Sequence, residues 1–176
     1  REIWRGIEIH RPIHIDISDS LPDVISEDIK KWGRGQILFG KLMVYNYLSA
    51  SKLVNDLIKK EGMKYDLVIA HDWLSVMGGT TVKKETGLPL AFHVHSTEKG
   101  RTLGNGSNVV SNIEMRGANM ADMIVTVSYA MKDELIQLGF PREKIQVSYN
   151  GVDPQKYDPA KVPADKVREI RDRYGI

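Results

Sequence analysis

The sequence predicts an α/β fold: a Rossmann-like parallel sheet with helices on both faces. Three observations predict it. Short apolar runs recur after Tyr65, at 66–70, 90–94, 123–127 and 145–149. Segments with helical spacing separate them, and glycines punctuate the ends of those segments. A β-α-β-α-β-α-β order with right-handed crossovers gives parallel strands.

The elements follow in order along the chain. "GIEIHRP" alternates apolar and polar residues between Gly6 and Pro12, as a strand does. "IHIDIS" alternates likewise, and "SDSLPDVISEDIKKWG" reads as a short helix with Ser20 as cap and Pro22 in its first turn. From Gln36 to Lys60 the pattern is helical, with Leu38, Leu42, Tyr45, Leu53 and Leu57 spaced mainly by three and four and Gly62 at the end. "DLVIAH" is continuously apolar from Leu67 to Ala70, which fits a strand covered on both faces. "WLSVMGGTTVKKETG" predicts a helix stopped by Gly87. "LPLAFHVH" is a second buried strand, "NVVSNIEMRGANMA" a helix, and "DMIVTVS" a third strand. "YAMKDELIQLG" is a helix closed by Gly139, and "KIQVSYNGVD" a fourth strand running into a loop. "PADKVREIRDRYGI" is a polar terminal helix.

The 176 residues suffice for one sizeable core. Apolar residues make up 41% and charged residues 27%, as in ordinary globular chains. A formal charge of +2, with bases and acids interleaved, argues against nucleic acid or an acidic membrane as partner. Without cysteine, disulfides and thiolate metal sites are excluded. No apolar run approaches the ~20 residues of a membrane span, and no signal peptide is visible, so a cytoplasmic location is expected. The chain opens on Arg1 inside what reads as a strand, so a fragment is expected: a Rossmann-like domain over 1–160, lacking its first strands, and a connecting helix over 161–176.

In open parallel sheets, ligands sit beyond the carboxyl ends of the strands. Strand 66–70 ends in His71, Asp72 and Trp73; strand 90–94 ends in His95, followed by Ser96, Thr97, Glu98, Lys99, Gly100 and Arg101. Strand 123–127 ends in Ser128, and strand 145–149 in Asn150, Gly151, Val152 and Asp153. All four deliver polar groups to one edge. His93 and His95 share a parity and project to the same face; His95, nearer the exit, is the candidate for ligand contact, and His93 reads as a hydrogen-bonded core residue. Each of the others has a structural alternative: Asp72 capping a helix that starts at Trp73, Ser128 capping the next helix, Asn150 making a turn, and Glu98, Lys99 and Arg101 as solvated loop.

"VIAHDWLS", "LPLAFHVHSTEKGR", "GANMADMIVTVSYAMKDEL" and "YNGVDPQKYDP" resemble, in that order and spacing, the amino-terminal domain of retaining GT-B glycosyltransferases, the family 4 branch with its neighbouring glycogen and starch synthases. "GIEIHRP" and "REIRDRYGI" resemble segments that open that domain and lead out of it. The resemblance implies two Rossmann-like domains across a cleft, the carboxy-terminal one holding most of a UDP-, ADP- or GDP-linked sugar donor. It implies that the donor and a carbohydrate acceptor are the partners, with no cofactor and no metal. It places His95 as the catalytic-centre histidine, bonded to the transferred sugar near its 6-hydroxyl. Asp72 matches an aspartate orienting sugar hydroxyls; Ser128 and Asn150 match cleft-lining positions, and Thr97 and Arg101 lie in the loop bordering the acceptor. The family's glycine-rich loop and the carboxylate motif of its second domain are not in this sequence, so negligible activity is expected of the fragment alone.

Two other readings stand beside the transferase. One is a metal-dependent hydrolase using His71, Asp72, His93 and His95, since imidazole and carboxylate suit zinc; it needs His93 to reach out of its strand. The other is a sugar-binding module without turnover.

Overall fold

The computed structural model describes residues 1–12 and 34–176, with side chains described from residue 38 onward in the second segment. The strand expected at "IHIDIS" and the helix expected at "SDSLPDVISEDIKKWG" lie outside the described residues.

The first two strands, β1 (Glu2–Trp4) and β2 (Ile7–Ile9), form an antiparallel hairpin separate from the main sheet. Gly6, taken from the sequence as a strand boundary, is instead half of the turn. Arg5 and Gly6 both have positive φ, 49° and 80°. A two-residue connection of that hand matches the twist of its flanking strands.

Helix α1 (Arg34–Ser51) continues into a π-helical stretch, Lys52–Lys60, where Glu61 N–H donates to the Asp56 carbonyl. Its buried side chains Ala50 and Val54 meet Val82 of α2 (Asp72–Thr86). Asn46 fastens the two helices: its amide nitrogen donates to the Leu74 carbonyl at 2.7 Å and its oxygen accepts from Gly78 N–H at 2.7 Å. A buried amide satisfied on both sides fixes how the helices cross.

The main sheet runs β3 (Val68–His71), β4 (Leu90–Val94), β5 (Met123–Thr126) and β6 (Ile145–Val147), in that spatial order and all parallel. The Rossmann-like parallel sheet flanked by helices is as the sequence predicted, but among the described residues the crossover helices share one face where both were expected. The crossovers are α2, α4 (Asn108–Met120, preceded by the one-turn α3, Glu98–Arg101) and α5 (Tyr129–Gln137). Strands in sequential order with crossovers of one hand carry these helices to a common face. Ala70, Leu90, Phe92, Val94, Ile124, Leu135 and Ile145 form the core there. Burying each large side chain contributes about 1.5–3 kcal/mol. The opposite parity stays open among the described residues, with Ile69 54% and Met123 39% exposed.

Where α2 crosses α4, Gly117 has no room for a side chain: a Cβ would strike Val76. At the amino edge of the sheet, Asp122 accepts from Lys83 Nζ and from Leu90 N–H, at 2.6–2.8 Å, tying α2, β4 and β5 together. Helix α6 (Ala164–Tyr174) is exposed along its whole length.

Candidate active site

β3 and β4 are in register with His71 opposite His93. Residues paired across a parallel ladder share a face, and His95 lies two positions beyond His93, so all three imidazoles project to the open side. The ring centroids of His93 and His95 are 4.2 Å apart, those of His71 and His93 4.9 Å, and those of His71 and His95 5.3 Å. His71 Nδ1 and His95 Nε2 share a hydrogen bond of 3.1 Å. That bond orients the His95 ring at the sheet's carboxyl edge. His93, half-buried, has its Nε2 closed off from solvent without a hydrogen-bond partner, which differs from the hydrogen-bonded residue expected. Burial, followed by the neighbouring His95 and His71, lowers its pKa and so favours the neutral imidazole.

Asp72 does not cap α2. The helix takes His71 as its N-cap position without a side-chain cap bond, and Asp72 sits in the left-handed region at φ 52°. Its Oδ1 accepts from His95 N–H at 2.8 Å and from Ser96 N–H at 3.4 Å. Left-handed backbone costs a non-glycine residue about 1–2 kcal/mol, and here it accompanies a carboxylate turned from its own helix onto the exit of β4. Strained conformations of this kind cluster at working sites.

Beyond His95 the chain is braced from below. Thr97 is fully buried; its hydroxyl donates to Glu134 Oε1 at 2.5 Å and accepts from Gly100 N–H at 2.9 Å. Glu114, only 3% exposed on α4, accepts from Glu98 N–H at 2.8 Å and from Arg101 at 3.3 Å. Arg101 also donates to the Ser96 carbonyl and hydroxyl, at 3.1 and 2.8 Å. Burial pushes the Glu114 carboxyl up to about 7, against the lowering pull of the Glu98 amide and the Arg101 guanidinium. The structure thus gives Thr97 and Arg101 work inside the loop: one is sealed beneath it, and the other closes it.

Ser128 accepts from Met131 N–H at 3.1 Å and caps α5. Asn150 is exposed after β6, beside Tyr149, whose ring meets Tyr129 edge-on at 6.2 Å between centroids. His95, Asp72, Ser96 and the α3 loop therefore form one bonded unit at the ends of β3 and β4, while Ser128 and Asn150 occupy the ends of β5 and β6 on the same edge.

Two glutamates went unnoticed in the sequence. Glu114 stands at the helical spacing of Val110, Gly117 and Ala118, all buried, so an acid on a buried stripe was there to be seen. Glu134, beside the buried Leu135, gave no comparable signal.

Among the described residues, one group of histidines and acids could hold a metal ion: His71, His93 and His95, whose ligand atoms lie within 4.8 Å of one another. Shared parity, rather than a side chain reaching out of the strand, brings His93 into it. Asp72, engaged with backbone amides, is not a member. No described helix is long and apolar enough to cross a membrane.

The chain is similar in sequence to known proteins. The model of Glycosyltransferase Family 4 matches residues 20–156, well over half of the chain. An uncharacterized glycosyltransferase of Methanocaldococcus jannaschii is 30% identical over 60% of this chain and 29% of its own length. A glycogen synthase of Mycobacterium tuberculosis is 28% identical over 74% of this chain and 31% of its own. A D-inositol 3-phosphate glycosyltransferase of Thermobifida fusca is 29% identical over 88% of this chain and 37% of its own. The chain thus spans about a third of the length of these curated relatives. The parallel sheet, the polar edge at its carboxyl end and the extent of the match together identify this chain as a member of glycosyltransferase family 4.

Proposed function

We propose that the chain forms the acceptor-side half of a retaining glycosyltransferase that moves a sugar, glucose in the first instance, from a nucleotide-sugar donor to a glucan or another hydroxyl acceptor. The observation that carries this reading is the double hold on His95: Asp72 grips its backbone amide, and the His71 imidazole grips its ring. A side chain held at both ends loses little freedom when it binds, which is what a preorganised hydrogen-bonding group requires. The names of the relatives, among them glycogen synthase and alpha-maltose-1-phosphate synthase, support glucosyl transfer.

In this reading the acceptor oxygen attacks the anomeric carbon on the face the leaving group departs from. The bond from that carbon to the donor phosphate oxygen breaks, the acceptor proton passes to the same oxygen, and the nucleotide diphosphate leaves. No pair of catalytic carboxylates like that of glycosidases is needed. His95 hydrogen-bonds a hydroxyl of the sugar in flight, and Asp72 positions His95. A site built to pair a hydroxyl rejects a sugar lacking it by a large factor. Most donor contacts fall to a carboxy-terminal domain of the whole protein.

The test is a panel of labelled UDP-, ADP- and GDP-sugars offered to the whole protein with and without glucan, with the product anomer read by NMR. Transfer with retained configuration, lost in His95→Ala, is expected. An inverted product, or a His95→Ala variant as active as the parent, would overturn the reading.

A further inference from the structure

The three imidazoles offer more than hydrogen bonding to a sugar. We propose that His71, His93 and His95 form a facultative site for one divalent transition cation of borderline softness, Zn2+ or Co2+, and that the cation and the sugar compete for His95. The binding stands on this geometry alone; the competition rests on the transferase reading.

Three features of the molecule point to it. The parallel register and the shared parity put three nitrogen ligands on one face, all within 4.8 Å of one another. On a tetrahedral zinc ion with Zn–N of about 2.0–2.1 Å, two ligand nitrogens sit roughly 3.3 Å apart. His71 Nδ1 and His95 Nε2, at 3.1 Å, already approach that edge length. Bringing in the third nitrogen requires a shift of about 1.5 Å, within reach of side-chain rotation from neighbouring staggered wells.

The second feature is the orphaned Nε2 of His93, buried without a partner. An unpaired polar atom out of water carries an uncompensated desolvation cost, and a metal bond to its lone pair would relieve it. The third is the donor set itself. Three imidazoles and no carboxylate suit zinc and cobalt and disfavour magnesium and calcium, which take oxygen ligands. Three protein ligands leave a fourth position for water, and the exposed His71 gives an ion a way in. Binding replaces the His71–His95 hydrogen bond: the donor ring takes its other tautomer, the bridging proton passing through water to that ring's second nitrogen, and both lone pairs turn to the ion. The ion and the water on its fourth position then occupy the open side of the sheet where a sugar hydroxyl would meet His95.

The experiment is a Co2+ titration of the protein followed by the visible d–d bands that tetrahedral cobalt displays. One equivalent per chain is expected, displaced by Zn2+, with affinity at least tenfold weaker in His71→Gln and in His93→Gln. His10→Gln, on the hairpin, should bind as the parent does. His71 is exposed, so His71→Gln carries the test even if the His93 variant fails to fold. Absence of the cobalt bands, or bands unchanged in His71→Gln, would overturn the proposal. In the whole protein, Zn2+ should raise the apparent KM for the sugar donor in the parent and do so less in His71→Gln. Zinc bound without loss of transfer would refute the competition. Cobalt bound by a protein that transfers no sugar would instead count against the proposed function.

Discussion

Two loops leave the same edge of the sheet, and the molecule treats them differently. The exit of β4, residues 95–107, is held by side chains from three other elements: Asp72 at the start of α2, Glu114 on α4 and Glu134 on α5. The exit of β6, residues 148–153, is exposed from Ser148 onward, with Tyr149 65% and Val152 71% exposed. Its local order comes from Asp153, whose carboxylate accepts from Gln155 and Lys156 N–H. The difference teaches where precision has been installed. A group that must meet a reacting centre needs a fixed backbone, and the β4 exit has one; a rim that meets varied partners can be left to adapt.

The comparison breaks first if the two loops contribute equally to turnover. In the whole protein, His95→Ala should lower kcat about 10²–10³-fold, the magnitude typical of removing one preorganised donor. Asn150→Ala should cost less than about tenfold. Steady-state kinetics on both variants with the same donor decide it. Similar losses would mean that the braced loop holds no special place.

The bracing itself is tested by stability. Thr97→Val leaves Glu134 and the Gly100 amide without their buried partner, so a loss of about 1–3 kcal/mol in denaturant unfolding is expected. An unchanged midpoint would show that the hydroxyl bears no load. Asp72 gives a smaller, graded effect. Asp72→Ala removes the acceptor for two amides and keeps a left-handed non-glycine residue, for about 1–2 kcal/mol. Asp72→Asn keeps both an acceptor and a tolerance for that backbone, so it should lose less.

A pH series sharpens the contrast further. Glu114 has its carboxyl raised from 4.5 to about 7 by burial. Between those values the folded protein holds a proton that the unfolded chain has released, so stability falls as pH rises from 4.5 to 7 and levels off above. His93, lowered by burial, works in the opposite sense below 6.5, contributing stability that is lost as pH falls. The difference between parent and Glu114→Gln therefore isolates the glutamate: the variant's profile should lack the decline. The smallest effect belongs to the other loop, where Tyr149→Ala should change stability by no more than about 0.5 kcal/mol.

Much of this was legible before any coordinates. Apolar runs and glycine stops located the four parallel strands and their crossovers, because burial on a sheet and the 3.6-residue period leave marks on every few residues. The edge carrying His95, Asp72, Ser128 and Asn150 followed from topology alone. The Arg5–Gly6 turn was read as a boundary, since one glycine serves either role until its partner strand is known. For Asp72 the sequence leaves a sugar-orienting role and a helix cap side by side, since a carboxylate before a helix has the same one-dimensional appearance whichever amides it accepts from.

What the sequence by itself determined is the alternation of elements, and with it the edge of the sheet where chemistry belongs. Only the tertiary structure decided which groups meet there. The pairing of His71 with His93 depends on strand register, and the grip of Asp72 on His95, like that of Glu114 on Glu98, joins residues 16–23 apart in the chain. Periodicity is a local property of a chain and can be read along it, whereas a hydrogen bond between distant residues exists only once packing has set the distance.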